Sequence, residues 1–131
     1  MRLDPLPFNQ FDPDLQDLVS AYGSFQTWTS VAGNHASLTK AIFQLLADQR
    51  QGSVLPPDVV ELASVTVSLV NQCQYCIVQH SAKALGLGIS QDQLDGLLDG
   101  SAEPLFSARD WRVVSYARAM TQDVHSLRAA T

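Results

Sequence analysis

The stretch from residue 57 to residue 88, PDVVELASVTVSLVNQCQYCIVQHSAKALGLG, decides the fold of this chain. Its first part is rich in valine and threonine, which favours a strand. Its apolar residues nevertheless recur at intervals of three and four positions, which favours a helix. The Pro56-Pro57 pair also suits a helix start, because proline is tolerated in the first turn. We therefore predict a buried helix over residues 58–70.

A second helix is predicted directly after the first one. Asn71 offers an N-cap for a helix over residues 73–85, and Gly86 and Gly88 provide its C-terminal end. If Asn71 is the cap, Cys73 and Cys76 fall in the first two turns of this helix. Its unpaired amides and positive dipole end would then stabilise a thiolate, which is the reactive form of cysteine.

Upstream of this stretch the pattern is also helical. Residues 1–14 read as an irregular lead-in with three prolines, residues 15–22 have helical spacing, and a Ser/Thr/Gly-rich stretch runs to Gly33. Asn34 is predicted to cap a helix that ends near Arg50 and Gly52. The apolar residues expected to share one face of that helix are Leu38, Ile42, Leu45 and Leu46.

Downstream, two helix starts carry capping signals. Ser90 and Gln93 fit a capping box, which begins a helix that stops at Gly100. Ser107 and Asp110 form a looser version of the same pattern. The stripe Leu94, Leu97 and Leu98 is predicted to lie in the core, and the last helix is predicted to contain Trp111, Val114, Ala117 and Met120. No alternation of strands and helices appears, so the fold class is all-α, a helical bundle.

Composition limits the classes of protein to consider. With 131 residues, we expect a single domain over 1–131, with residues 1–33 as lead-in and first helix. Charged residues make up 16% of the chain, against about 25% in an average protein, which suggests that some surface is buried in a homo-oligomer. The net charge is −5 and the basic residues are scattered, so no nucleic acid is expected as partner. No apolar run suits a membrane or a secretory signal, so we expect a cytoplasmic protein.

The two cysteines are the main candidates for chemistry. In a reducing cytosol, a Cys-x-x-Cys pair is more often redox-active or metal-binding than structural. Zinc usually takes four ligands, and His35 and His125 lie far away without matching spacing. On a helix, His80 lies one turn after Cys76 on nearly the same face, where it can exchange a proton with a thiol. Cys73 also nearly aligns with His80, so the spacing leaves open which cysteine attacks.

Four residues together carry a resemblance to a known family. Glu61 is followed by eleven residues and Cys73, by two more and Cys76, and by three more and His80. This spacing resembles that of the AhpD-like alkylhydroperoxidases, within the carboxymuconolactone decarboxylase superfamily. The resemblance extends from about residue 34 to residue 120. Members of the family usually continue with further helix beyond the position of Thr131, which leaves a truncated C-terminus open.

The resemblance implies an antioxidant thiol peroxidase that assembles into trimers or hexamers. Cys76 would attack the hydroperoxide, Cys73 would resolve the intermediate as a disulfide, and Glu61 would share a proton relay with His80. In the best-known members a histidine precedes the second cysteine. Here Tyr75 stands at that position, and its phenol can hydrogen-bond but is not a base near neutral pH. No metal or organic cofactor is implied, and electrons would come from a dithiol or protein reductant.

Two other functions remain open at this point. One is a decarboxylase-like member of the same superfamily, although such members generally lack the cysteine pair. The other is a non-enzymatic role, as a redox-sensing or structural oligomer whose disulfide alters assembly. The core and interface remain the expected places for the aromatic residues Trp28, Phe43, Phe106 and Trp111.

Overall fold

A computed structural model of the protein describes residues 3–22 and 27–122. In those residues the chain forms seven α-helices and three short 3-10 helices, with no strand. The all-α prediction is therefore confirmed. None of the helices in the described part of the chain is long and apolar enough to cross a membrane. His125 and the C-terminal end lie outside the described residues.

The chain divides into two compact units, with the boundary between Val54 and Leu55. The first unit contains α1 (Pro13–Tyr22), α2 (Thr27–Ala32) and α3 (Ala36–Gly52). Short 3-10 helices, Phe8–Gln10 and Gly33–His35, precede α1 and α3. Helix α1 packs on α3, and the buried hydrophobic core of this unit consists of Phe11, Leu15, Val19 and Phe43.

No element is predicted for the Ser/Thr/Gly-rich stretch that runs to Gly33, and the chain forms α2 there, while residues 23–26 lie outside the description. The capping prediction fails in the first unit. Asn34 does not cap α3, because its amide group donates instead to the carbonyl oxygens of Asp4 and Val31, at 2.8 and 3.0 Å. The N-cap is His35, whose Nδ1 accepts from the amide of Leu38 at 3.4 Å.

The buried face of α3 also differs from the prediction. Thr39 and Phe43 are its buried residues, whereas Leu38 and Leu45 are 56% and 68% exposed. The Thr39 hydroxyl donates to the carbonyl oxygen of Ala32 at 2.6 Å, and the Phe43 ring stacks on Trp28 at 5.4 Å between centroids. Packing around these two side chains turns the leucines outward, so the predicted leucine face is wrong at those two positions.

The second unit is built around one central helix. It contains α4 (Pro57–Val70), α5 (Gln74–Gly86), α6 (Gln91–Asp99) and α7 (Ala108–Gln122), with a 3-10 helix over Glu103–Leu105. Helix α4 packs against both α5 and α7. The buried core of this unit consists of Leu62, Val65, Ala84, Ile89, Leu94, Leu97, Ala102 and Val114.

The helix predicted for the ambiguous valine-rich stretch is confirmed as α4. Pro56 is its N-cap and Pro57 its first residue, as the proline pair predicted. Its hydroxyl side chains bond back to the preceding turn: Thr66 and Ser68 donate to the carbonyl oxygens of Leu62 and Ser64, at 2.8 and 2.6 Å. Burial on two sides and satisfied hydroxyls override the strand propensity of this segment.

The capping signals predicted for α6 and α7 hold, and the core predictions hold in part. Ser90 and Gln93 form both bonds of a capping box at the start of α6, and Ser107 Oγ accepts from the amide of Asp110 at 3.1 Å. Leu98 is 63% exposed, because it lies 100° around α6 from the buried Leu97. Met120 is 44% exposed, in the last turn of α7. The prediction that Leu98 lies in the core is therefore wrong.

Candidate redox site

The cysteine pair lies at a tight turn between α4 and α5. Asn71 is the C-cap of α4, and Gln72 adopts a left-handed conformation with φ of 53°. Cys73 then takes extended backbone angles as the N-cap of α5, with its amide bonded to the Ser68 carbonyl oxygen at 3.1 Å. The prediction that Asn71 caps α5 is therefore wrong, because the chain reverses through residues 71 and 72 before the second helix begins.

Cys73 and Cys76 are joined by a disulfide, with their Cα atoms 5.2 Å apart. Cys73 is the cap and Cys76 the third residue of α5, so the bridge spans the first turn of the helix. The Sγ atom of Cys73 accepts from the Cys76 amide at 3.3 Å. Both cysteines are half-buried. The sulfur of Cys73 thus lies where a helix start offers an unpaired amide to a negative charge.

Glu61 and His80 are brought into contact by the packing of α4 against α5. Oε2 of Glu61 lies 2.7 Å from Nδ1 of His80. The side chains are 15% and 31% exposed, so the pair is largely shielded but reachable. His80 follows Cys76 by one helical turn on α5. Because Glu61 engages Nδ1, the other ring nitrogen, Nε2, is the one left to exchange protons with a bound molecule.

Tyr75 lies in the first turn of α5, directly before Cys76, and is 40% exposed. The five residues singled out from the sequence therefore lie on two packed helices, at the start of α5 and in the facing part of α4. Within the described residues, no group of three or more His, Cys, Asp or Glu side chains could hold a metal ion.

A surface cleft of about 400 Å³ lies beside the cysteines and is called here the α5 cleft. Its walls come from the end of α4, the start of α5, and helices α6 and α7. The lining residues are Leu69, Val70, Gln72, Gln74, Ile77, Leu97, Leu98, Arg118 and Gln122. Arg118 is not among the site residues predicted from the sequence. The one feature of the sequence that marks it is its positive charge beside the apolar positions Val114 and Ala117 of α7.

The model of the carboxymuconolactone decarboxylase family matches residues 36–119. The chain belongs to this family. No curated protein and no solved structure matched the chain significantly.

The matched range of the carboxymuconolactone decarboxylase family confirms the resemblance expected over residues 34–120. It begins at the first residue of α3 and ends within α7, so it contains Glu61, Cys73, Tyr75, Cys76 and His80. The match identifies the family but not the reaction, which depends on the residues of this site.

Proposed function

We propose that this protein is a hydroperoxide reductase that cycles between a Cys73–Cys76 dithiol and disulfide. The observation that carries the proposal is His80, held through Nδ1 by Glu61 at 2.7 Å and one turn from Cys76. A reactive thiol needs a partner that takes its proton and returns it to the leaving group. Membership in the carboxymuconolactone decarboxylase family is compatible with this chemistry.

In the first step, the Cys76 thiolate attacks the distal oxygen of a hydroperoxide. The O–O bond breaks, a bond forms between Sγ and oxygen, and Cys76 becomes a sulfenic acid while the peroxide is reduced to an alcohol. His80 accepts the thiol proton at Nε2 and donates it to the departing alkoxide. Glu61 stabilises the charged imidazole between these two transfers.

In the second step, the Cys73 thiol condenses with the sulfenic acid of Cys76 and releases water. The Cα separation of 5.2 Å suits a disulfide without backbone movement. An external dithiol then reduces the disulfide by thiol–disulfide exchange and becomes a disulfide itself. Every electron is thus supplied by the dithiol, and no metal or organic cofactor takes part.

We assign the attack on peroxide to Cys76 and the resolving role to Cys73. Cys76 is the nearer cysteine to His80 along α5. Cys73 has its sulfur on the amide of Cys76, which stabilises it as the thiolate that leaves when the disulfide is reduced. The two sulfurs therefore have different environments that match the two roles.

The test is titration of the reduced protein with cumene hydroperoxide, following free thiols and intact mass. We expect both thiols of the chain to disappear, with loss of two hydrogen atoms in mass. Cys76→Ser should abolish the reaction, whereas Cys73→Ser should stop at a sulfenic acid that dimedone traps. The two variants are each other's matched control, because the chain has no other cysteine. Thiols that persist in excess peroxide would disprove the proposal.

A redox-sensing oligomer is the second candidate, and one observation favours it. Val78 and Leu85, on the helix that carries the disulfide, are 64% and 42% exposed. They lie seven residues apart, so they share one face of α5, as expected of a contact with other copies in a trimer or hexamer. Sedimentation of the reduced and oxidised protein separates the candidates. A sensor changes its oligomeric state on oxidation without sustaining turnover, whereas an enzyme sustains turnover with a dithiol.

A further inference from the structure

We propose that the α5 cleft binds the substrate and selects hydroperoxides that carry a carboxylate on an apolar chain, such as fatty-acid hydroperoxides. In this scheme Arg118 binds the carboxylate, and the leucine-rich walls bind the chain. The choice of substrate rests on the hydroperoxide reductase activity proposed above. The binding site itself rests on the walls, the cation and the position of the cleft.

Five of the nine residues that line the cleft are apolar. Leu69 and Val70 come from the last turn of α4, Ile77 from α5, and Leu97 and Leu98 from α6. The volume of about 400 Å³ is within the range of clefts that hold small organic ligands. Such walls favour a ligand with a hydrocarbon part, because burial of apolar surface is the main non-directional contribution to binding.

Arg118 brings the positive charge to this cleft. Its Nη2 donates to the carbonyl oxygen of Leu97 at 3.3 Å, and its Cζ lies 5.8 Å from the centre of the Trp111 ring. These two contacts hold the guanidinium in place and use one of its five donors.

The charge of Arg118 has no carboxylate partner in the part of the chain that the structure describes. Across residues 3–22 and 27–122, no Asp or Glu lies at ion-pair distance from Arg118, whereas Lys40 and Arg109 each contact two aspartates. A half-buried guanidinium with donors to spare favours a carboxylate, which it can bind through two parallel hydrogen bonds.

The cleft adjoins the cysteines. Gln72 and Gln74 line it and are the chain neighbours of Cys73, while Ile77 directly follows Cys76. Consecutive Cα atoms are about 3.8 Å apart, so this part of the cleft borders the disulfide. The polar amides of the two glutamines suit a peroxide group, and the leucines suit the chain between peroxide and carboxylate. A ligand anchored at Arg118 therefore presents its peroxide beside the reactive sulfurs.

The kinetic test compares linoleic acid hydroperoxide with its methyl ester, both below their critical micelle concentrations. The two substrates share the chain and the peroxide and differ at the carboxyl end, which is charged in the acid and a neutral methyl ester in the other. We expect kcat/KM to be about tenfold higher for the acid, the low end for a charge-assisted hydrogen bond. Arg118→Gln should abolish this preference, because kcat/KM for the acid should fall to the level of the ester.

Two further variants separate charge recognition from damage to the fold. Arg112→Gln is the matched control, since Arg112 is an exposed arginine of α7 that donates to the Ala108 carbonyl oxygen and does not line the cleft. It should keep the preference for the acid. Leu98→Glu adds a negative charge to an exposed wall position and should slow the acid more than the ester. Equal slowing of both substrates by Arg118→Gln and Leu98→Glu would overturn the proposal.

Binding of decanoate to the disulfide form, measured by calorimetry, needs no enzymatic activity. We expect Arg118→Gln to weaken it about tenfold and Arg112→Gln to leave it unchanged. Equal turnover of acid and ester without decanoate binding would overturn the role of the cleft and leave the reductase function standing. Thiols that resist every hydroperoxide, with decanoate still bound through Arg118, would overturn the function and support the binding site.

Discussion

Glu61 and His80 are 19 residues apart in sequence, yet Oε2 of one lies 2.7 Å from Nδ1 of the other. The contact exists because α4 and α5 are antiparallel neighbours joined by the turn at Asn71 and Gln72. A carboxylate on Nδ1 fixes the orientation of the imidazole ring and leaves Nε2 to exchange protons. The pair therefore links the family spacing of Glu61 to the chemistry proposed for Cys76.

Replacing Glu61 by glutamine tests this link. Glu61→Gln keeps the size of the side chain but replaces the carboxylate that holds Nδ1 of His80 with a neutral amide. We expect kcat/KM for cumene hydroperoxide to fall by on the order of tenfold to a hundredfold, part of the usual gain from general acid–base catalysis. Stopped-flow measurement of thiol oxidation reports the effect directly.

The matched control for this change is Glu103→Gln. Glu103 is an exposed glutamate in the 3-10 helix before α7, and it is not part of the redox site. It should change kcat/KM less than twofold, in keeping with the small effects of most surface substitutions. If Glu61→Gln were as active as this control, the proton relay would be wrong.

Tyr75 offers a gain-of-function test. Tyr75→His places a second imidazole directly before Cys76, where the best-known AhpD-like proteins have one. An imidazole accepts a proton near neutral pH and a phenol does not, so we expect kcat/KM to rise roughly three- to tenfold. Tyr75→Phe is the control, because it removes the hydroxyl without adding a base. A lower rate for the histidine variant than for the phenylalanine variant would contradict this prediction.

We expect alanine substitutions at two helical glycines, Gly96 and Gly86, to have opposite effects on the free energy of unfolding. A Cβ atom on Gly96 would lie 3.0 Å from the Cα of Ala102, whereas one on Gly86 would meet nothing within 4 Å. Gly96→Ala should therefore lower the free energy of unfolding by about 1–3 kcal/mol, since the backbone contact outweighs the gain in helix propensity. Gly86→Ala should be neutral or raise it by about 0.5–1 kcal/mol.

Urea unfolding followed by circular dichroism measures both glycine variants. They share the chemical change and a position on a helix of the second unit, so each controls for the other. A Gly96→Ala protein at least as stable as the Gly86→Ala protein would show that α6 and the Ala102 backbone do not pack as described.

We expect protonation of Asp110 to cause part of the loss of stability in acid. The Ser107 hydroxyl, at 2.7 Å, and the Arg109 guanidinium lower the pKa of Asp110 below its ordinary value, against the opposing effect of burial. With its pKa lowered in the folded state, the carboxylate stabilises the protein above pH about 4. This contribution is lost as the pH falls through the folded-state pKa.

Asp110→Asn should therefore be less stable than the parent protein at pH 7, with a smaller difference at pH 3. Urea midpoints at the two pH values measure this change. Asp95→Asn, on an exposed residue of α6, is a control in which the difference should stay nearly constant. If the difference in urea midpoint between Asp110→Asn and the parent protein were the same at both pH values, the negative charge of Asp110 would be excluded as its cause.

The sequence by itself determined the helices and the candidate site. Proline at the start of α4, the capping box at Ser90 and the spacing of apolar residues act within one or two turns, so they can be read locally. The four-point spacing of Glu61, Cys73, Cys76 and His80 identified the family because it records which turns of two helices face each other. The family match over residues 36–119 confirms that identification.

Only the tertiary structure decided which residue caps α5, which leucines face outward and where Arg118 lies. Asn71 and Cys73 are both able to cap a helix, and the left-handed turn at Gln72 chose Cys73. Periodicity gives a helix an apolar side, but the packing partner selects the buried residues, as Phe43 did over Leu45. The α5 cleft joins residues of four helices, and no local pattern in the sequence encodes such a meeting.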